Sequence, residues 1–270
     1  MQRQADTTET QPLQSLIVLV TRPRDQGDAF AARIRACGGL AIQQPTIEIA
    51  PVSDADAVAR ALDQLAQFDD AVFVSANAAE SFVRYLNDVR REMPRGLRIA
   101  AIGTRTAHRL TELGLPVHLS PPSPYNSEAL LALPAFRSLA GRHILILRGG
   151  QGRDLLAETF ARRGAVVTLL DVYRRMRPET LDATVSEALA AGRIDLLTIT
   201  SAEGLRNLFA MTPEFARSAL LATPVLVGSA RMVETCLELG FKIPAFVADN
   251  PSDDSMFGAL IQWAATKRRN

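Results

Sequence analysis

Gly164-Ala-Val-Val-Thr-Leu-Leu-Asp-Val-Tyr-Arg-Arg-Met-Arg177 is the stretch on which the fold turns. A glycine closing an amphipathic run stops a helix. The apolar residues after Gly164 read as an extended strand. Its polar end carries one tyrosine, Tyr173, followed by Arg174, Arg175 and Arg177. We read the segment as one of two strands that tie two similar lobes together, with its polar end forming part of a site.

The lobes are similar because the chain repeats itself. Phe30, Ile34 and Gly38 stand 126 positions before Leu156, Phe160 and Gly164. Ser75 precedes Ser201, and Gly114 precedes Gly240, by the same 126, and Gly103 precedes Gly228 by 125. A spacing held this long marks a duplication. Within each copy, short apolar runs alternate with helical patterns: Leu16–Val20, Ala71–Val74, Arg98–Ile102 and Val117–Leu119, then His143–Leu147, Leu196–Thr200, Val225–Val227 and Phe246–Val247. That alternation predicts parallel sheets wound with helices on both faces.

The extended stretches Leu40–Ile49 and Ala165–Tyr173 hold matching places in the two copies. Paired antiparallel, they carry the chain from one lobe to the other and back. The expected fold is therefore α/β: two similar doubly wound parallel-sheet lobes joined by a two-stranded antiparallel linker. Lobe 1 is residues 15–39 plus 175–266, lobe 2 is 51–164, and the linker strands are 40–50 and 165–174. Residues 1–14 read as a disordered polar extension. A cleft between the lobes is expected.

Composition is that of an ordinary globular chain of 270 residues, 47% hydrophobic and 22% charged. A net charge of +1 gives no overall footprint for nucleic acid or for an anionic membrane. Lys242 and Lys267 are the only lysines among 30 basic residues. Codon bias explains that, and arginine also suits fork-like carboxylate recognition. Cys37 and Cys236 lie in apolar helical patterns and read as buried thiols in a reducing compartment. Without an apolar run of membrane-spanning length or a secretion signal, the chain is expected in the cytoplasm.

Ligands of doubly wound sheets bind beyond the carboxyl ends of the strands. The turns there are Thr21-Arg22-Pro23, Ser75-Ala76-Asn77, Gly103-Thr104, Arg148-Gly149-Gly150, Ser201-Ala202-Glu203 and Gly228-Ser229. Each precedes a helix, so free backbone N–H groups can face an anion. Capping by Ser, Thr and Asn accounts for any one of them equally well. Arg148-Gly-Gly-Gln-Gly152 lacks the Gly-Lys-Ser/Thr ending of a phosphate loop and is not Gly-x-Gly-x-x-Gly. His108, His118 and His143 are scattered without metal-ligand spacing. Tyr173 has Ile47 as its counterpart at the repeat offset. It is either a packing tyrosine with a wet hydroxyl or a proton donor facing the site.

Val20-Thr-Arg-Pro23, Phe73-Val-Ser-Ala-Asn77, Ala101-Ile-Gly103, Leu147-Arg-Gly149, Leu170-Asp-Val-Tyr-Arg174, Ile199-Thr-Ser201 and Val227-Gly228, in this order and spacing, resemble the uroporphyrinogen-III synthase family. The resemblance covers nearly all of the chain after Leu16. It implies two α/β lobes joined by two strands and an enzyme that uses neither metal nor organic cofactor. The implied reaction takes linear hydroxymethylbilane, inverts ring D through a spiro intermediate and closes the macrocycle with loss of water. Tyr173 falls at the family's tyrosine position and is implied to assist departure of the hydroxyl. Thr21, Arg22, Ser75, Asn77, Arg148, Gly149, Ser201, Gly228 and Ser229, with Gly103 and Thr104 from the turn after Ile102, are implied to bind its carboxylates. The chain is expected to act as a monomer, apart from nucleic acid and membrane. The competing reading is a non-catalytic two-lobe binding or sensor protein for a small anionic ligand.

Overall fold

The structure, a computed structural model, describes residues 11–150 and 154–268. In chain order the first elements are β1 (Ile17–Val20), α1 (Arg24–Ala36), β2 (Leu40–Gln43), β3 (Glu48–Ala50), α2 (Ala55–Asp63), β4 (Asp70–Phe73), α3 (Ala76–Asp88), β5 (Arg98–Ala101), α4 (Thr104–Glu112) and α5 (Ser127–Ala132). Then follow β6 (His143–Arg148), α6 (Leu155–Arg162), β7 (Val166–Asp171), β8 (Arg174–Met176), α7 (Ala183–Ala190), β9 (Leu196–Ile199), α8 (Ala202–Met211), α9 (Glu214–Ala222), β10 (Val225–Val227), α10 (Arg231–Leu239), β11 (Phe246–Val247) and α11 (Asp253–Lys267).

The described chain divides into two compact units. One holds the residues up to Glu48 and those from Met176 on; the other is Ile49–Arg175. The first contains a parallel five-stranded sheet in the order β11-β10-β9-β1-β2. The second contains a parallel four-stranded sheet in the order β5-β4-β6-β7. Where the chain passes between the units, β3 and β8 form a two-stranded antiparallel sheet.

Each large sheet is apolar on both faces, as the continuous hydrophobic runs require. In the second unit, Ala71 and Phe73 of β4 with Leu145 and Leu147 of β6 face α2, α3 and α4. Their neighbours Val72, Ile144 and Ile146 face Leu130, Leu131, Phe136, Leu156 and Phe160. In the first unit, Leu19, Leu197 and Val227 pack with α7, α8, α9 and α10, while Val18, Leu196 and Leu226 pack with α1 and α11. The duplication is visible in the helix ends. Gly38 and Gly164 adopt φ of +84° and +93°, a left-handed conformation that disfavours residues bearing a Cβ. At Gly164 an added Cβ would also stand 3.0 Å from the Ala140 Cα.

Three expectations change. The stretches 40–50 and 165–174 are not single linker strands. Leu40–Gln43 pairs parallel with β1 and Val166–Asp171 parallel with β6, so both belong to the large sheets. Only the short strands β3 and β8 link. Pro45, with no N–H to give a ladder, lies in the break between β2 and β3. The expected extension of residues 1–14 ends too late: Leu13 is fully buried and its N–H donates to the Cys37 carbonyl at 2.9 Å. Residues 1–10 lie outside the described chain. The expected strand Val117–Leu119 is reduced to one bridge, Leu119 with Ala100. Among the described residues no helix is long and apolar enough to cross a membrane.

Candidate active site

The parallel strands of the second unit bring their carboxyl ends to one edge, in the order β5, β4, β6, β7. At about 4.8 Å between neighbours the row is roughly 15 Å long. Gly103 and Thr104 follow β5, Ser75 and Asn77 follow β4, Arg148 ends β6 with Gly149 after it, and Tyr173 follows β7. The sequence places these residues up to 98 positions apart (Ser75 to Tyr173). The sheet sets them along one edge.

Tyr173 is only 2% exposed and packs into the core with Phe73, Leu147 and Leu170. Its hydroxyl lies 3.2 Å from Ser75 Oγ. The ring is thus a core residue, with Ser75 beside its hydroxyl. Ser75 caps α3, its Oγ accepting from the Ala78 N–H at 3.1 Å. The tyrosine ring has room because residue 149 is glycine: an added Cβ would stand 2.0 Å from Tyr173 Cζ and 2.2 and 2.3 Å from Cε2 and Cε1. A pocket of about 280 Å³ opens beside Tyr173, lined also by Asp54, Leu169, Asp171 and Arg174. That is just below the range of roughly 300–1,000 Å³ for sites that enclose a drug-sized ligand.

Arg148 is held rather than free. It donates from Nε to Asp171 at 3.0 Å and from Nη1 to Asp154 at 2.7 Å. Its partial burial alone would lower its pKa. The hydrogen bonds and charges of the two carboxylates outweigh that and leave it above the usual arginine value. Arg174 and Arg177 are exposed, and Arg174 Nε reaches the Pro51 carbonyl at 3.0 Å. Gln151 and Gly152, part of the same turn, lie outside the described residues.

One residue at this edge had no signal in the sequence reading. Tyr125 sits in the proline-rich loop after Leu119, half exposed at 47%, with φ of +50°. Its Cβ lies 3.4 Å from where a side chain on Gly103 would begin. Tyrosine in a left-handed conformation is uncommon. Only the four closely spaced residues Pro121, Pro122, Ser123 and Pro124 hint at a shaped loop.

In the first unit the strand ends are more closed. Ser201 caps α8, accepting from the Gly204 N–H at 3.0 Å, and Ser229 is half-buried. Three residues implied to bind carboxylates have partners within their own unit. Thr21 is buried and its hydroxyl donates to the Thr198 carbonyl at 2.9 Å. Arg22 is buried, ion-paired to Asp253, bonded to the Pro251 carbonyl at 2.7 Å and set over the Phe30 ring. Gly228 gives its N–H to the Ile199 carbonyl at 3.0 Å, and Pro251 covers it so closely that a Cβ would lie 2.9 Å from the proline's. Strand β9 takes the Thr21 hydroxyl and the Gly228 N–H, while the segment Pro251 to Asp253 at the start of α11 holds Arg22 and covers Gly228.

Among the described residues no group of three or more His, Cys, Asp or Glu is placed to hold a metal ion. The fold and site define a two-unit α/β protein that carries a buried, serine-bonded tyrosine at the ligand edge of one sheet. The chain belongs to the uroporphyrinogen-III synthase HemD family, whose model matches residues 28–258. It is 33% identical to the uroporphyrinogen-III synthase of Escherichia coli strain K12 over 244 residues, spanning 90% of this chain and 99% of that protein. It is 35% identical to the Salmonella typhimurium uroporphyrinogen-III synthase over 246 residues, again 90% and 99% of the two chains. In fold it resembles a mutant uroporphyrinogen III synthase structure from Thermus thermophilus, with TM-score 0.60 and 22% identity, covering 93% of this chain and 99% of that one. The Helicobacter pylori uroporphyrinogen-III synthetase structure gives 0.57 and 16%, covering 92% and 99%.

Proposed function

We propose that the chain is the ring-closing hydro-lyase of its family, converting hydroxymethylbilane to uroporphyrinogen III. In the first step the hydroxymethyl C–O bond breaks. Its electron pair leaves on oxygen, the adjoining pyrrole nitrogen supplies electron density, and the Tyr173 proton completes a molecule of water. The azafulvene cation that remains is electrophilic. Attack by the ring D carbon that already bears the bridge gives the spiro intermediate. Breaking the original bridge bond leaves an azafulvene cation on ring C, and its capture by the free α-carbon of ring D, on the other side of the ring nitrogen, inverts the ring. The proton lost as the last pyrrole regains aromaticity returns to Tyr173, so the balance is one water released.

The observation that carries this reading is the Tyr173 hydroxyl, held at 3.2 Å by Ser75 at the carboxyl edge of a parallel sheet and next to a pocket. The chemistry needs a proton at the leaving oxygen and a fold that holds a flexible polyacid in one pose. Positioning is the larger requirement, because the azafulvene is reactive on its own and the problem is which carbon attacks. Asn77, Gly103, Thr104, Arg148 and Gly149 in the second unit, and Ser201 and Ser229 in the first, are the polar groups at strand ends suited to carboxylates. Arg148 binds an incoming carboxylate in competition with Asp154 and Asp171, and its contribution is correspondingly reduced. The enzyme acts as a cytoplasmic monomer.

The test is to supply enzymatically generated hydroxymethylbilane and to resolve the cyclised isomers. The inverted isomer, formed faster than spontaneous closure, supports the proposal. Un-inverted product at the spontaneous rate, with the ligand merely bound, supports a non-catalytic binder instead.

A further inference from the structure

We infer that Ser75 is a positioning residue for the proposed acid: it donates its own proton to Tyr173 Oη, aims the phenolic proton at the substrate, and stabilises the phenolate left behind. The inference rests on the reading of Tyr173 as the acid.

A serine hydroxyl has one proton to give and two lone pairs. One lone pair of Ser75 is taken by the Ala78 N–H, at 3.1 Å. Its proton has Tyr173 Oη within 3.2 Å, and no other acceptor among the described residues bonds it. The 3.2 Å contact can be donated from either side, and each way leaves one proton over. With Tyr173 donating it is the serine proton; with Ser75 donating it is the phenolic proton, which then points away from Ser75 and is the one available to the substrate.

The direction also suits the charge that develops. Ser75 sits at the N-terminus of α3, a helix of 13 residues. The positive end of the helix faces the serine oxygen through the Ala78 N–H. An O–H whose oxygen accepts such a bond becomes a better donor. As Tyr173 gives up its proton, negative charge appears on Oη, and the chain Ala78 N–H, Ser75 O–H, Tyr173 Oη strengthens. It is preorganised at the start of the step.

The other copy of the repeat shows that capping does not explain the pair. Ser201 caps α8 through the Gly204 N–H at 3.0 Å in the same way, yet the residue at the matching offset from Tyr173 is Ile47, buried and apolar. The cap is common to both units. The tyrosine beside it occurs in one.

Two substitutions separate the roles, because both preserve the cap. Ser75→Thr keeps an acceptor and a donor. Ser75→Asp keeps the acceptor for Ala78 but has no proton to give, and it draws the phenolic proton to itself. Steady-state kcat and KM are measured with hydroxymethylbilane for each, alone and in the Tyr173→Phe background, beside urea unfolding curves. We expect Ser75→Thr within about threefold of wild type. Ser75→Asp is expected to lose about 10- to 100-fold in kcat, with KM within about twofold and unchanged stability. In the Tyr173→Phe background the aspartate is expected to cost nothing further. A full kcat in Ser75→Asp, a loss confined to KM, or a loss undiminished without the Tyr173 hydroxyl overturns the relay alone. A Tyr173→Phe variant as fast as wild type overturns the acid role and the relay with it.

Discussion

Tyr173 lies against the backbone of Gly149, and a single methyl group on that glycine would occupy the place of the tyrosine ring, 2.0 Å from Cζ. The two residues are 24 positions apart, at the ends of the adjacent strands β6 and β7. Gly149→Ala is therefore expected to displace the ring and break its contact with Ser75, with Tyr173 itself intact. Activity should fall by about 10²-fold or more, the range for loss of a positioned general acid. Stability should fall by about 1–3 kcal/mol from overpacking. Measuring kcat and the unfolding free energy of the one variant checks both.

Arg22 should behave as a structural residue. Arg22→Gln removes a buried guanidinium and leaves Asp253 and the Pro251 carbonyl short of their partner. We expect a loss of about 3 kcal/mol in urea unfolding and, for the molecules that remain folded, a KM within about twofold of wild type. A large rise in KM with unchanged stability would return Arg22 to the substrate.

The contrast between these two residues shows what the sequence made legible. Tyr173, Ser75 and Gly149 were readable as a group, because a parallel sheet brings its strand ends together wherever they fall in the chain. The 126-residue spacing also revealed the doubled fold. Arg22 looked equally suited to an anion. Its partner Asp253 lies 231 positions away on α11, and no local pattern announces that contact. The linker was misjudged for a similar reason. Leu40–Ile49 is extended throughout, and whether an extended residue joins one sheet or another depends on its neighbours in space. Tyr125 depends on a backbone turn that the loop's composition only suggests.

Asp70 is fully buried at the start of β4, at the edge opposite the site. It accepts from Arg98 Nε at 2.8 Å and from Arg142 Nε and Nη2 at 3.0 and 2.7 Å. Asp70→Asn removes the charge that both guanidinium groups face. The arginines are about a third exposed, at 35% and 30%, and regain some water. The expected cost is thus about 2–3 kcal/mol, below the full penalty of a broken buried pair, with kcat unchanged. A urea unfolding curve tests it.

The two thiols should differ. Burial pushes the Cys236 pKa up from 9.0 to about 11, whereas Cys37 is half-buried. The neutral thiol is the form the fold retains, so its contribution to stability is complete below pH 9 and is lost as pH rises towards 11. At about pH 8 a thiol reagent is expected to label Cys37 in the native protein and Cys236 only after unfolding. Rapid labelling of both in the native state contradicts the packing described for α10. Mass spectrometry of the labelled peptides decides it.

The most direct measurement is the rate and isomer composition of cyclised product from hydroxymethylbilane with Tyr173→Phe, compared with wild type. The substitution keeps the ring that fills the space over Gly149 and removes only the hydroxyl. The account predicts a fold as stable as wild type to within about 1 kcal/mol, a turnover to the inverted isomer lowered about 10²-fold or more, and un-inverted product rising by spontaneous closure. Formation of the inverted isomer at the wild-type rate would contradict it.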